Sequence, residues 1–201
     1  LAEYGFSAGE ETVDSLDKSG IHLHNGLWAT IFRRQAGTGM YWWWDTYLEP
    51  LGLWRHFLPL SRFLEGVDPA DYASTSAHVS AADGNATQAL GLVLWGEDQH
   101  LLWVRSNHYT AAAATEAHDK AVREALRNRE ILQDFVYTPP PIEGHSVEIN
   151  YVEGEKYAVH WFDPQTGQWG AVEEIEAVDG TLTIPLPTFA KDIAAKIEAI
   201  R

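Results

Sequence analysis

Met40-Tyr41-Trp42-Trp43-Trp44-Asp45 places three tryptophans, preceded by a tyrosine, and a carboxylate in consecutive positions. On a strand, side chains alternate between faces, so Trp42 and Trp44 would share one side and Trp43 the other. At least one large ring then points away from whatever the others bury against. Rings beside a strand-end acid suit a sugar: the ring stacks on the apolar face of a pyranose and the acid accepts hydroxyl hydrogen bonds. A buried strand with a tryptophan-rich core fits the same run equally well. Glu49 lies in the following loop, where it can touch substrate hydroxyls or be an ordinary loop acid. His22 and His24 have the spacing of two metal ligands on a strand. They fall at a helix start, however, where capping or hydrogen bonding is the expected role and no metal is expected. Asn25 follows them and is expected to hold the neighbouring loop. Glu3, taken alone, is a strand-end acid.

The elements that must position these groups follow from periodicity. Leu1–Phe6 is expected as a short strand broken by Gly5, followed by a polar loop to Gly20. Leu23, Leu27, Trp28, Ile31 and Phe32 mark one face of a helix over Ile21–Arg34, closed by Gly37. The tryptophan strand spans Gly39–Asp45. A second amphipathic helix carries Leu53, Trp54, Phe57, Leu60, Phe63 and Leu64, with Pro59 as a kink or restart. Strand, helix, strand, helix is the order of parallel β/α architecture.

Residues 69–84 are rich in Ala, Ser, Asp and Gly and are expected to be a linker. Beyond it, strands are predicted at Ala89–Trp95, Leu101–Ser106, Ser146–Tyr151, Tyr157–Phe162 and Thr181–Leu186, with a last strand or short helix at Asp192–Ile200. Asp163-Pro164-Gln165-Thr166-Gly167 and Asp179-Gly180 are turn signals. Residues 111–134 form a helical insertion, and Pro139–Pro141 forces an extended connection. The second half, 85–201, is expected as a small antiparallel sandwich, making the chain an α+β molecule in two parts.

Bulk properties exclude several partners. The 201 residues include 14 basic and 29 acidic side chains, a net charge of −15, with no basic run. Nucleic acid and anionic membrane surfaces are therefore not expected partners. Cysteine is absent, which removes disulfides and thiolate metal sites. No cofactor is expected. No apolar run approaches the length of a membrane span. The start at Leu1, without methionine or signal peptide, suggests a processed product or part of a longer chain.

His24-Asn25-Gly26-Leu27-Trp28-Ala29 and Gly37-Thr38-Gly39-Met40 with Trp42-Trp43-Trp44-Asp45 resemble the last two β/α units of a clan A retaining glycoside hydrolase of the family 5 cellulase or mannanase type. The resemblance implies that 1–68 are strands seven and eight of a TIM-type barrel with their helices. It makes Glu3, in Ala2-Glu3-Tyr4-Gly5, the candidate nucleophile. It assigns one of Trp42 to Trp44 to the subsite where the bond breaks, with His24, Asn25, Asp45 and Glu49 as further substrate-side residues. Trp161 to Gly167 and Phe189 to Ile193 are similar to parts of a C-terminal β-sandwich found in such proteins. A retaining enzyme also needs a second carboxyl group about 5 Å from the first, and in this clan it comes from strand four, which this chain lacks. A full barrel takes about 250 residues. The expected function is therefore the C-terminal portion of a glycoside hydrolase acting on polysaccharide outside the cell or in the periplasm, inactive as an isolated chain. Its expected partners are a polysaccharide or oligosaccharide and either the rest of the barrel or a second copy of itself. The alternatives are a non-catalytic carbohydrate-binding module, in which sandwich tryptophans share an exposed face, and a purely structural sandwich with all of them buried.

Overall fold

A computed structural model describes residues 3–5, 17–35, 38–84 and 87–200. It is mostly antiparallel β structure, with a small helical layer packed on one face of the sheet.

The front of the chain forms one β/α/β unit. Strands β1 (Glu3–Tyr4) and β2 (Met40–Tyr41) pair in parallel, Glu3 opposite Met40 and Tyr4 opposite Tyr41. Helix α1 (Ile21–Phe32) is the crossover between them. Its first two N–H groups, those of Ile21 and His22, are held by the Asp17 carboxylate at 3.0 and 2.7 Å, which settles orphan donors of the first turn. Its end differs from expectation. Gly37 lies outside the described residues, and Arg34 takes the left-handed conformation (φ 54°). Arg34 N–H then donates to Ile31 O and Gln35 N–H to Thr30 O, a Schellman closure that stops the helix at Phe32.

The tryptophan run is not a strand. Pairing ends at Tyr41, and Trp44–Leu48 coil into a wide helical turn in which Leu48 N–H reaches Trp43 O. The turn buries Tyr47 and Leu48 completely, a gain an extended run without a neighbouring strand would not make. A 3₁₀ turn (Leu53–His56) leads directly into α2 (Phe57–Phe63). Pro59 falls in the first turn of α2, where its missing N–H has no partner to lose.

Eight further strands form one antiparallel sheet: β3 (Ala73–Ala81), β4 (Ala89–Trp95), β5 (Gln99–Ser106), β6 (His145–Asn150), β7 (Lys156–Asp163), β8 (Gln168–Glu176), β9 (Thr181–Pro185) and β10 (Asp192–Ala199). Their spatial order is β8-β7-β10-β5-β4-β3-β6-β9. Between β5 and β6 stands α3 (Ala111–Asn128), capped by the Thr110 hydroxyl on Ala113 N–H. It ends before Asp134, where the insertion was expected to end. Two expectations are corrected. Residues 73–81, within the expected linker, form β3, which carries β4 on one side and β6 on the other. The stretch 168–176, assigned no structure from sequence, is the edge strand β8. Of the expected partial barrel, the described residues hold the single β/α/β unit followed by α2.

The sheet buries both faces at its centre. Val93, Leu102, Val104, Val159, Ala195 and Ile197 face an inner core with Val147, Leu182 and Ile184. Leu92, Leu94, Leu101, Trp103 and Phe162 face outward onto Leu27, Trp28, Phe32 and Phe63 of the helices. The neighbouring residues Leu92, Val93 and Leu94 thus serve two cores, which explains the unbroken apolar run in β4.

Candidate functional site

Beyond the C-terminal end of β2 the chain presents an aromatic and acidic surface. Trp42 is 58% exposed and Trp44 50%; Met40 and Trp54 are also exposed, while Trp43 is half-buried against the helical core. Asp45 and Glu49 are exposed beside them. Glu49 Oε2 accepts from the Trp54 indole N–H at 2.5 Å, so one of the candidate acids is already engaged in orienting a ring. Trp42 N–H donates to Tyr4 O at 2.7 Å, which extends the β1–β2 contact into the platform.

Beneath it lies a layer of tyrosines. Tyr4 and Tyr41 meet edge to face with ring centroids 5.1 Å apart, and Tyr41 and Tyr47 at 5.3 Å. Tyr4 O–H donates to Leu23 O, and Tyr47 O–H to Asp17 O. Burial, aided by nearby negative or phenolic groups, pushes both hydroxyls far above their ordinary range, so they remain donors. Gly26 is required here: a Cβ on it would lie 2.3 Å from the Tyr4 ring.

His24 and Asn25 do not join the platform. His24 is fully buried and its Nε2 donates to Asp192 Oδ2 at 2.7 Å. Trp103 Nε1 donates to the same oxygen at 2.9 Å, and Gln165 Nε2 to Oδ1 at 2.7 Å. Tyr109 O–H in turn donates to Gln165 Oε1. Burial opposes the charge on Asp192. The adjacent His24 and the three donated hydrogen bonds outweigh it, holding the carboxyl below the usual range. Asn25 donates to Tyr109 O. Both residues therefore tie α1 to the sheet. His56, packed edge-on against His24 with centroids 5.5 Å apart, is lowered to about 4 by burial and by the His24 charge.

Asp192, Gln165, Tyr109 and Asp17 were not singled out in the sequence. A single acid opening an otherwise apolar strand, as Asp192 does in Asp192-Ile193-Ala194-Ala195, was the available signal. Gln165 reaches it because the 163–167 turn is rigid. Asp163 Oδ1 accepts Gln165 N–H, Asp163 Oδ2 accepts the Thr166 hydroxyl, and Gly167 sits at φ +71°. Of the four tryptophans in 85–201, Trp103 and Trp161 are buried, Trp95 is half-buried on His100 and Trp169 is exposed. Trp169 borders a cleft of about 640 Å³ with Phe162, Glu173, Phe189 and Lys191. Of Glu3, the described backbone is paired with Met40. Among the described residues no group of three or more His, Asp or Glu could hold a metal ion, and no helix is long and apolar enough to cross a membrane.

A family model described as the putative collagen-binding domain of a collagenase matches residues 107–192, less than half of the chain. No curated protein matches. Solved structures similar to this chain are glycoside hydrolases. A GH30 endoxylanase from Clostridium papyrosolvens C71 has TM-score 0.44 and 12% identity over 100% of this chain and 41% of its own. A family 5 glycoside hydrolase from Bacteroides vulgatus ATCC 8482 has TM-score 0.35 and 12% identity over 82% and 28%. This chain therefore spans less than half the length of either structure.

Proposed function

We propose that this chain is the C-terminal portion of a retaining glycoside hydrolase and that Trp42, Trp44 and Asp45 hold its polysaccharide. The observation that carries this is the parallel pairing of β1 with β2 across α1, with both exposed tryptophans immediately past the end of β2. Ligands of parallel β/α folds sit at the C-terminal ends of the strands, where the loops converge. In this assignment Trp42 and Trp44 stack on sugar rings and Asp45 accepts hydroxyl hydrogen bonds. Glu49 acts mainly through Trp54, and His24 and Asn25 fix α1. Glu3, on the strand paired with β2, attacks the anomeric carbon to form a glycosyl-enzyme. A second carboxyl group about 5 Å away protonates the leaving oxygen, and it is supplied from outside residues 1–201. A polysaccharide substrate places the site of action outside the cell or in the periplasm.

Calorimetric titration of this chain with gluco-, xylo- and manno-oligosaccharides tests the platform. Binding without hydrolysis is expected, weakened about tenfold or more by Trp42→Ala or Trp44→Ala. Absence of binding to every member would rule the platform out. The native product is expected to be heavier than 22.5 kDa by about 25–35 kDa, and Glu3→Gln in that product should abolish turnover. A native mass of 22.5 kDa would exclude the catalytic role.

A second assignment, a non-catalytic binding module, is favoured by the cleft beside Trp169, which lies inside the stretch matched by the binding-domain model. There Trp169 would stack on the ligand while Glu173 and Lys191 flank it. Trp169→Ala abolishing oligosaccharide binding, with Trp44→Ala neutral, would select it over the platform.

A further inference from the structure

The helical insertion between β5 and β6 does not simply cover the eight-stranded sheet. It reaches the loop that precedes α1. Tyr109 and Ala114 of the insertion form a small core with Ile21, the first residue of α1, and half-buried Tyr137 packs against it. Between this arm and residues 17–19 lies a second cleft of about 620 Å³. Lys18 and Ser19 border one side, and Thr115, His118, Asp119 and Phe135 the other.

Its chemistry is mixed in a particular way. Phe135 offers a half-buried ring, fixed edge-on by His118 with centroids 5.3 Å apart. His118 and Asp119 face each other, Nδ1 to Oδ1 at 3.6 Å, and their side chains are 45% and 58% exposed, which leaves the His118 Nε2 edge and the second Asp119 oxygen for a ligand. Lys18 and Ser19 add donors on the facing side. Asp17, although it borders the cleft, is not available, because both carboxylate oxygens accept N–H groups of α1. An apolar patch of Phe135 and Leu132, with the Tyr137 ring beside it, among hydroxyl, ammonium and carboxylate groups fits a neutral polyhydroxylated ring. A purely ionic or purely apolar ligand would leave half of this lining unmatched.

Its position supplies the second reason. Residues 17–19 join the wall of the cleft to the layer beneath the aromatic platform. Tyr47 O–H bonds to Asp17 O, and Ser19 O accepts from His56 Nε2 at 2.9 Å and from Arg55 at 3.4 Å. Because β1 and β2 are parallel and α1 crosses back between them, the N-terminus of α1, where the cleft lies, is at the same end of the unit as the C-terminal end of β2, where the platform begins, so one oligosaccharide of several units can extend from one to the other.

We infer that the cleft between α3 and residues 17–19 is a distal sugar subsite, in which the insertion extends the platform so that longer oligosaccharides bind more tightly. This rests on the carbohydrate-binding assignment above. The test uses the whole chain, titrated with disaccharides and hexasaccharides of the gluco, xylo and manno series. The expected result is tighter binding of a hexasaccharide than of the matching disaccharide. Phe135→Ala should remove about tenfold of that advantage and leave disaccharide affinity unchanged. His118→Ala, a more exposed change, should act in the same direction. A length preference that survives both substitutions, or wild-type protein with no length preference, overturns the distal subsite while leaving the platform intact. No binding of any oligosaccharide, or binding indifferent to Trp42→Ala and Trp44→Ala, instead fells the platform on which it rests.

Discussion

Asp192 is the residue on which most of the polar core depends. It is fully buried and accepts from His24, Trp103 and Gln165, which come from α1, β5 and the β7–β8 turn. Its removal would leave two buried donors, on His24 and Trp103, and the half-buried Gln165 amide without their acceptor, a worse state than never having had the pair. Asp192→Ala is expected to lower stability by about 3–5 kcal/mol, measured as the midpoint and slope of urea unfolding. A loss below about 1 kcal/mol would mean that water replaces the carboxylate. Acid should act through different groups at different pH. The Asp192 carboxyl is held below its ordinary value of 3.8, so its contribution is complete above that pH and is lost only as the pH falls further. His56 is lowered from 6.5 to about 4, chiefly by burial. Below pH 6.5 the unfolded chain takes up this proton and the folded chain does not, so stability present above 6.5 declines as the pH falls to 4. His22 and His100, also lowered by burial, add to the same slope. Unfolding free energy should therefore fall between pH 6.5 and 4, and His56→Gln should make that fall shallower. An identical slope in the variant would show that His56 does not titrate with folding.

Among the elements, those with a buried face were legible and those without one were not. In β4 and β5, Ala89–Trp95 and Leu101–Ser106 were identified from their apolar runs, and α1 from the spacing of Leu23, Leu27, Trp28 and Ile31. The turn at Asp179-Gly180 was equally plain: both residues adopt positive φ (50° and 72°), as a type I′ hairpin turn demands. By contrast, β8 is exposed at nearly every position, and its Gln168-Trp169-Gly170-Ala171 start has no alternation to detect. β3 is built mostly of Ala, Ser and Thr, with Val79 as its one buried apolar side chain, and owes its extension chiefly to ladders with β4 and β6. The tryptophan run fails for the opposite reason. Its strand propensity is high, but strand pairing ends at Tyr41, and burial of Tyr47 and Leu48 favours a helical turn. The same limit applies to the site. That at least one ring of the tryptophan run would lie outside the core was expected, but the run did not tell which: Trp42 and Trp44 are exposed and Trp43 is half-buried. The His24–Asp192 pair was not expected at all, because it spans 168 positions and no local pattern encodes it.

At the scale of the molecule, the front unit and the sheet are held by one continuous apolar layer. Leu92, Leu94, Leu101, Trp103 and Phe162 are buried against Leu27, Trp28, Phe32 and Phe63, and Trp28 stacks on Trp103 with centroids 6.1 Å apart. Burying each large side chain stabilises by about 1.5–3 kcal/mol, so the layer is comparable to the whole net stability of a typical domain, about 5–15 kcal/mol. A chain of residues 69–201 keeps all eight antiparallel strands but loses this cover, and Asp192 loses His24. It would expose five large apolar side chains on a single sheet face, a patch of the kind that drives association. We therefore expect this shortened chain to bind a hydrophobic dye, to associate in sedimentation experiments and to unfold at lower urea concentration than the whole. A monomeric, dye-silent 69–201 with an unchanged midpoint would show that the sheet is a self-sufficient domain and that the helical layer is only docked on it. The outcome bears on function as well. If the layer is indispensable, the platform at Trp42 and Trp44 is held rigidly to the sheet that carries the insertion. The geometry linking platform and distal cleft is then fixed before any ligand arrives, and ordering the two surfaces costs nothing on binding.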